Sequence, residues 1–511
     1  MFKKNNSTTT QKVLKNSIYN FLNIVVSRIG GLIFTVIIAR FLFPELFGIY
    51  TLALTIILTI ATFTDLGINS TLIRYLAESL KIKTKKTEIE ARSRLYFLLN
   101  FKILFTAIAA FALFLLSNII SIYIFKKPSL ILPLQLGSIY LFAISLQGFF
   151  SSIFYAIQKV KYTVIAETIF QILRIVLVSI LFLFHKTVAP IFIILSISFF
   201  ISFTFLWLTT LKKYSFLLKG PRVELEKNER KRLLSFFGWL TISSISLIFF
   251  AHIDTFMLGM FLPQAEFIGY YSAIFSIVGA VAAFVAFGSV LLPVFTQLEQ
   301  GKLERGFKKV FYYTSLITIP AAIGLAFIII PAIQIIYGQA YVPIQYKLAI
   351  TITSIMLSFL VIETAFTTIY SALFQAKEKP KIPAILIIII TVINIILNYI
   401  FVKIGISIAP QYGLVGVALA TFISRYGNLI TLIILAKTRL NIKTNTSLAL
   451  KPFIASLAML SFLFIFNYFV KTSILIGILI IMAAVLVYFA ALWIIKGLAK
   501  EDFELVKRIK D

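Results

Sequence analysis

Long apolar runs broken by short polar loops set the rhythm of this chain from end to end. A helix needs about 20 predominantly apolar residues to cross the hydrocarbon core of a bilayer. Fourteen runs meet that length, at 18–41, 47–72, 95–117, 133–157, 163–184, 187–210, 236–261, 267–292, 310–336, 346–374, 382–402, 412–436, 452–470 and 473–495. No water inside the bilayer pairs with a bare backbone, so each run must satisfy its own N–H and C=O groups as a helix. The expected fold is all-α, a polytopic membrane protein with about 14 transmembrane helices.

Charge adds orientation to that pattern. Three-quarters of the 48 Lys and Arg residues fall in the amino-terminal arm, in alternate loops and in the tail. The loop at 211–235 alone holds Lys212, Lys213, Lys219, Arg222, Lys227, Arg230, Lys231 and Arg232. The intervening loops hold only Arg40, Lys126, Lys127, Lys186, Lys347, Lys403 and Lys471. Basic loops stay cytoplasmic, so both termini are expected to face the cytoplasm of a multi-pass cell-membrane protein. The net charge of +29 belongs to this bias, with anionic membrane lipid rather than nucleic acid as its partner.

Composition closes other routes. The chain is 60% hydrophobic and 13% charged, and its longest polar stretch, 211–235, is too short for a soluble domain. It has no Cys, which excludes disulfides, Cys-ligated zinc and thiol catalysis. The first apolar run is too long for a cleavable signal and lacks a small-residue cleavage site. No phosphate-binding G-x-x-x-x-G-K-[ST] loop, H-E-x-x-H or G-x-S-x-G motif occurs. No enzyme, cofactor or metal site is expected.

An internal repeat organises the spans. FLFPELFGIYTLALTIILTIATFTDLGINSTLIRYLAE from Phe41 resembles FLPQAEFIGYYSAIFSIVGAVAAFVAFGSVLLPVFTQLE from Phe261. With one inserted residue, Gly48 falls on Gly269, Tyr50 on Tyr271, Gly67 on Gly288 and Glu78 on Glu299. FYAIQKVK at Phe154 likewise resembles SALFQAKEK at Ser371, with Gln158 on Gln375. An even number of spans per copy makes the copies parallel. The expected organisation is a basic arm (1–17), an N-lobe (18–210), an inter-lobe loop (211–235), a C-lobe (236–436), an added helix pair (452–495) and a cytoplasmic tail (496–511). Gly30 and Gly31 are expected to interrupt span 1, and Pro320 and Pro331 to interrupt span 9, giving flexible points for rocking of the lobes.

Ionisable residues inside the spans are the candidate chemistry. An ionised side chain at mid-membrane costs about 3 kcal/mol or more on insertion scales, so it faces a cavity or a partner. Arg28 lies about ten residues, roughly 15 Å, into span 1. Asn20, Asn23 and Ser27 share one helical face near it. Glu167, Gln171 and Arg174 share a face of span 5, and Arg425 lies near the middle of span 12. Asp254 and Glu363 are the other intramembrane acids, Asn394 and Asn398 stand one turn apart on span 11, and Lys102 is seven residues into span 3. Two explanations compete for each. Either these groups line a wet cavity whose cations Arg28, Arg174, Arg425 and Lys102 hold an anionic substrate, or they are interhelical pairs that only bind the bundle together. Lys102 has a third option, snorkelling to the membrane surface. Asn23, Ser27, Glu167, Gln171, Asp254, Glu363, Asn394 and Asn398 are the polar or ion-coupling candidates.

The first 80 residues carry a resemblance. A basic arm enters span 1, IIARFLFPELFGIY forms the turn, and TDLGINSTLIRYLAE (Thr64 to Glu78) closes span 2. This pattern resembles the polysaccharide transporter family, the oligosaccharide flippases of the multidrug/oligosaccharidyl-lipid/polysaccharide superfamily. The likeness extends over the chain as fourteen spans, two six-helix lobes and a trailing pair. It implies a lipid-linked oligosaccharide as cargo, moved on a polyprenyl phosphate or diphosphate from inner to outer leaflet by alternating access, with glycan-assembly enzymes as possible neighbours. It implies that Arg28, by position, and Arg174 and Arg425, by depth, hold the anionic head group. Span 7 departs from the lipid II flippases of the superfamily, with Ile248 and Asp254 where a basic residue is expected. Two other readings stand beside it. One is a secondary antiporter exporting small cationic or amphipathic compounds through Glu363 and Asp254. The other is a scaffold or scramblase-like subunit of a glycan-assembly complex.

Overall fold

The computed structural model describes residues 9–497 except 66, 82–83, 287, 443–445 and 470–473. Lys3, Lys4, Lys83, Lys443, Lys471 and the tail beyond 497 lie outside the described residues. Sixteen α-helices account for nearly all of the described chain, and no strand occurs among the described residues. Among the described residues, eleven helical stretches are long and apolar enough to cross a membrane, and one of them, Lys15–Ser79, holds two of the expected spans. The shorter apolar helices Ile248–Phe261 and Leu479–Ile494 fall on spans 7 and 14.

The chain divides into two compact units between Gly269 and Tyr270. Unit 1 holds α1 (Thr9–Asp65), α2 (Ile68–Ser79), α3 (Lys85–Ile119), α4 (Ile131–Ala156), α5 (Lys161–Phe184), α6 (Ala189–Lys213) and α7 (Lys227–Phe261). The helix α8 (Glu266–Val285) starts in unit 1 and runs into unit 2. Unit 2 continues with α9 (Gly288–Gln297), α10 (Gln300–Ile336), α11 (Lys347–Ser358), α12 (Leu360–Ala376), α13 (Lys381–Ile408), α14 (Tyr412–Leu440), α15 (Leu450–Phe469) and α16 (Ile474–Ile494).

The turn between spans 1 and 2 lies inside α1 at Phe43, whose φ of 57° and ψ of 172° break the helical path ahead of Pro44. Proline lacks an N–H and drives the preceding residue out of the helical region, so the chain bends here. The helix ends at Asp65. Gly67 then takes a left-handed conformation (φ 70°) and starts α2, with the Thr71 hydroxyl and N–H both bonding its carbonyl. In the second copy α9 likewise starts at Gly288.

Three sequence expectations change. First, α1 runs without a break through Gly30 and Gly31, and α10 runs through Pro320 and Pro331. Neither pair interrupts its span, and Gly30 serves close packing instead. Second, the register of the second repeat match moves. Gln158 and Glu378 both adopt left-handed φ (56° and 55°). Lys159 N–H bonds the Phe154 carbonyl as Lys379 N–H bonds that of Phe374. The equivalent of Gln158 is therefore Glu378, not Gln375, because turn geometry rather than side-chain identity sets the correspondence. Third, α7, placed by sequence in the C-lobe, packs with unit 1.

Two contacts within unit 1 hold α7 there. The Lys127 ammonium donates to the carbonyls of Gly259 (2.8 Å), Leu262 (2.6 Å) and Phe125 (3.4 Å), capping the C-terminal end of α7. At the other end of α7, Arg94 Nε pairs with Glu229 (2.5 Å) while Arg92 grips the carbonyls of Phe216 and Pro221 in the 211–235 loop. In unit 2, α15 and α16 pack on each other and on α10, where Tyr488 donates to the Leu316 carbonyl (2.8 Å) and Ile319, Ile323, Met459 and Leu492 form a core.

Candidate anion-binding seam

In unit 1, α1 and α5 pack side by side. Positions 23, 27, 30, 31 and 34 recur at helical spacing on α1, and 167, 171, 174 and 178 do so on α5. Gly30 is what lets the two stripes meet. A β-carbon there would overlap the Gln171 amide oxygen and lie 2.7 Å from its carbonyl carbon. Beside it, the Arg174 Nη2 lies 3.6 Å from where a Gly31 β-carbon would stand. Arg28 is three residues earlier on α1, so the Arg174 guanidinium sits about one helical turn, roughly 5 Å of rise, from the backbone that carries Arg28.

The polar groups of α5 form a chain. Gln171 Nε2 donates to Glu167 Oε1 (2.6 Å), and Arg174 donates from Nε (2.9 Å) and Nη2 (2.5 Å) to Gln171 Oε1. The rings of Phe34 and Phe170 lie 4.4 and 4.7 Å from the guanidinium carbon. Such cation–π contacts contribute about 0.5–2 kcal/mol each, more when desolvated. The buried phenols Tyr50 and Tyr140 are within electrostatic reach of the same arginine. Arg28 is exposed and has no ion-pair partner among the described residues. The Asn23 side-chain oxygen is buried without a hydrogen-bond partner among them. Ser27 is half-buried on the same face.

Lys102 stands apart from this seam. It neither lines it nor snorkels. Its side chain is buried and donates to Asp65 Oδ1 at 2.8 Å. Asp65 is the acid of the Asp-Leu-Gly break, so the helix-ending motif and the buried lysine of α3 hold each other.

Unit 2 uses its charges differently. Arg425 on α14 pairs directly with the buried Glu363 on α12 (3.4 Å), whose other oxygen accepts from Thr367 (2.7 Å). Tyr426 donates to the Phe359 carbonyl (2.7 Å) between α11 and α12, a carbonyl that also accepts from the Ile362 N–H (3.1 Å). Asn394 donates to Ser424 (2.7 Å) and accepts at Oδ1 from Asn398 (3.2 Å), stitching α13 to α14. Asp254 is buried near the C-terminal end of α7, in unit 1.

The structure thus joins Glu167, Gln171 and Arg174, pairs Glu363 with Arg425, and links Asn394 with Asn398. Sequence reasoning missed Phe34, Phe170, Tyr50 and Tyr140 around Arg174, and Asp65 as the partner of Lys102. Phe34 had a readable signal, since it lies on the stripe of Asn23, Ser27 and Gly30. Tyr50 and Tyr140 had none, because aromatic residues are common throughout these spans.

A polytopic all-α membrane protein with cations held inside a helix bundle is the class that this fold and seam define. The chain belongs to the family described as polysaccharide biosynthesis protein, whose model matches residues 13–299. The family model for the lipid II flippase MurJ matches residues 208–496. A probable low-salt glycan biosynthesis flippase, Agl15, from Haloferax volcanii is 27% identical over 219 residues. That match spans 42% of this chain and 43% of the relative's length. Among solved structures, lipid II flippase MurJ in an inward closed conformation superposes with a TM-score of 0.74 at 18% identity, over 94% of this chain and 98% of the other. An inward-facing multidrug resistance MATE family transporter of the MOP superfamily gives 0.61 at 16% identity, over 82% and 98%. At these identities the likeness is one of fold.

Proposed function

We propose that this protein is a flippase that carries a polyprenyl (di)phosphate-linked oligosaccharide from the cytoplasmic to the outer leaflet by alternating access, without covalent chemistry. The supporting observation is the seam at Gly30 and Gly31, where the aromatic-backed Arg174 guanidinium packs against α1 about one helical turn from the backbone that carries the exposed Arg28. Guanidinium suits this cargo because its planar fork bonds phosphate oxygens in pairs and stays charged. A glycan and its phosphates lose hydration on entering a membrane protein, and fixed cations offset that loss. The prenyl tail remains in the lipid throughout. Membrane lipids and the glycan-assembly enzymes that load the carrier are the expected partners, in the cell membrane with both termini cytoplasmic.

Export of small cations by antiport is the second reading. It draws on the MATE-like fold and on Glu363 and Asp254. The direct Glu363–Arg425 pair weighs against it, since the carboxylate that would take a cation already holds one.

Gene deletion tests the proposal. Lipid-linked sugar should accumulate on the cytoplasmic leaflet, wild-type protein should restore export, and Arg28→Ala should not, at equal protein level. Unchanged export on deletion, or full restoration by Arg28→Ala, would overturn it.

A further inference from the structure

Gln171 is fixed from both ends. It is 5% exposed, and its neighbours dictate the orientation of its amide. A carboxylate only accepts hydrogen bonds and a guanidinium only donates them. The NH2 group must therefore face Glu167 and the oxygen must face Arg174, as the distances of 2.6 and 2.9 Å place them. Gly30 completes the arrangement, because any larger residue on α1 would push the amide out of line.

Glu167 and Arg174 are seven residues apart, about 10 Å along the helix axis. A neutral amide spans that gap. It anchors Arg174 through Nε and Nη2 without cancelling its charge, and the Nη1 edge carries no hydrogen bond among the described residues. The contrast lies in unit 2, where Arg425 meets the Glu363 carboxylate directly at 3.4 Å. One arginine is held by an amide and keeps its charge available, while the other is held by an acid and has its charge balanced. The polarised chain from carboxylate through amide to guanidinium also stiffens the arginine, since hydrogen bonds in series strengthen one another.

We propose that Gln171 is a positioning residue for anion binding at Arg174, and that a phosphate or diphosphate group takes the arginine edge that Gln171 leaves open. This rests on the flippase reading and adds which residue makes one intramembrane arginine an anion site.

The test uses the full chain in detergent and farnesyl diphosphate as the probe. Gln171→Glu puts a carboxylate against Arg174, and binding should fall at least about tenfold at neutral pH. Acidification should restore it, because the protonated carboxyl is neutral and close to the amide in shape. Gln171→Met removes both hydrogen bonds without adding charge and should weaken binding with no recovery in acid. The wild type over the same pH range is the reference. The ionisable groups around position 171 are Glu167 and Arg174 on α5, Arg28 and Tyr50 on α1 and Tyr140 on α4, while α6 supplies none before Lys212. A merely structural role for Gln171 would give losses that acid does not reverse. Neutral-pH binding by Gln171→Glu equal to wild type, or no recovery in acid, would overturn the inference. If Arg174→Ala binds as well as wild type, or the wild type does not bind the probe, the site reading itself fails and this inference with it. Loss on Arg174→Ala with intact binding by both Gln171 variants would sink the positioning role alone.

Discussion

Gly48 and Gly269 occupy reciprocal positions. A β-carbon on Gly48 would overlap the Ala265 carbonyl oxygen, and one on Gly269 would overlap that of Pro44. Each glycine receives the carbonyl four residues before the other, which is the reciprocity of two equivalent segments meeting face to face. The pair is also the one that the internal repeat equates. Gly48→Ala and Gly269→Ala should each destabilise the protein by about 1–3 kcal/mol, the usual range for overpacking. Their effects should be non-additive, since one separation of the segments relieves both clashes. Thermal unfolding of the two single variants and the double variant in detergent checks this, and additive losses would mean that the glycines act apart.

The Asp-Leu-Gly break makes a narrower prediction. Gly67 sits at φ 70°, a region that costs an ordinary L-residue about 1–2 kcal/mol. Gly67→Ala should lower stability by that amount, and Gly67→Asn by less, because Asn tolerates the left-handed region better. Equal losses from the two variants in the same unfolding measurement would point to lost space rather than backbone conformation.

The Glu363–Arg425 pair is buried on one side and nearly so on the other, with side-chain exposures of 3% and 17%. Removing one partner of such a pair strands a charge and costs about 3–5 kcal/mol. Arg425→Ala should therefore be severe. Glu363→Gln combined with Arg425→Met, which removes both charges at similar volume, should be much milder. Chemical unfolding of the variants decides, and a double variant as unstable as Arg425→Ala would refute the pairing.

Lys127 supplies a pH signature. Burial pushes its ammonium down to about 8, against the three carbonyls that favour the charged form. The unfolded lysine titrates near its ordinary value of 10.5. Between those values the unfolded chain binds more protons, so stability should rise with pH through this window. The folded protein bears the penalty of a buried charge below pH 8 and loses it as the lysine deprotonates. The difference in thermal stability between wild type and Lys127→Met, followed from pH 7 to 11, should move in favour of the wild type as pH rises. A flat difference would show that the ammonium stays charged in the fold.

Much of the candidate site was legible because it is local. Glu167, Gln171 and Arg174 are separated by four and three residues, and helix geometry alone puts such neighbours on one face. The partners of Arg425 and Lys102 were not legible in the same way. Glu363 lies 62 residues from Arg425, and Asp65 lies 37 from Lys102. Which helices cross, and at what height, chooses such pairs. Gly30 shows the same limit from another side. As a sequence feature it suggested a hinge, yet α1 stays helical through it, and the residue it accommodates belongs to α5.

The spans and their helical state were written in the chain itself. A bilayer offers no outside partner for backbone groups, so each segment must solve its hydrogen bonding alone, and short stretches of sequence record that solution. Tertiary structure decided whether a buried cation keeps its charge or has it balanced. Arg174 and Arg425 look alike in sequence, each amid apolar residues with polar neighbours. An amide holds one and a carboxylate the other, because side chains in a low-dielectric interior take whatever polar group packing sets within about 3 Å, and packing is a property of the whole bundle.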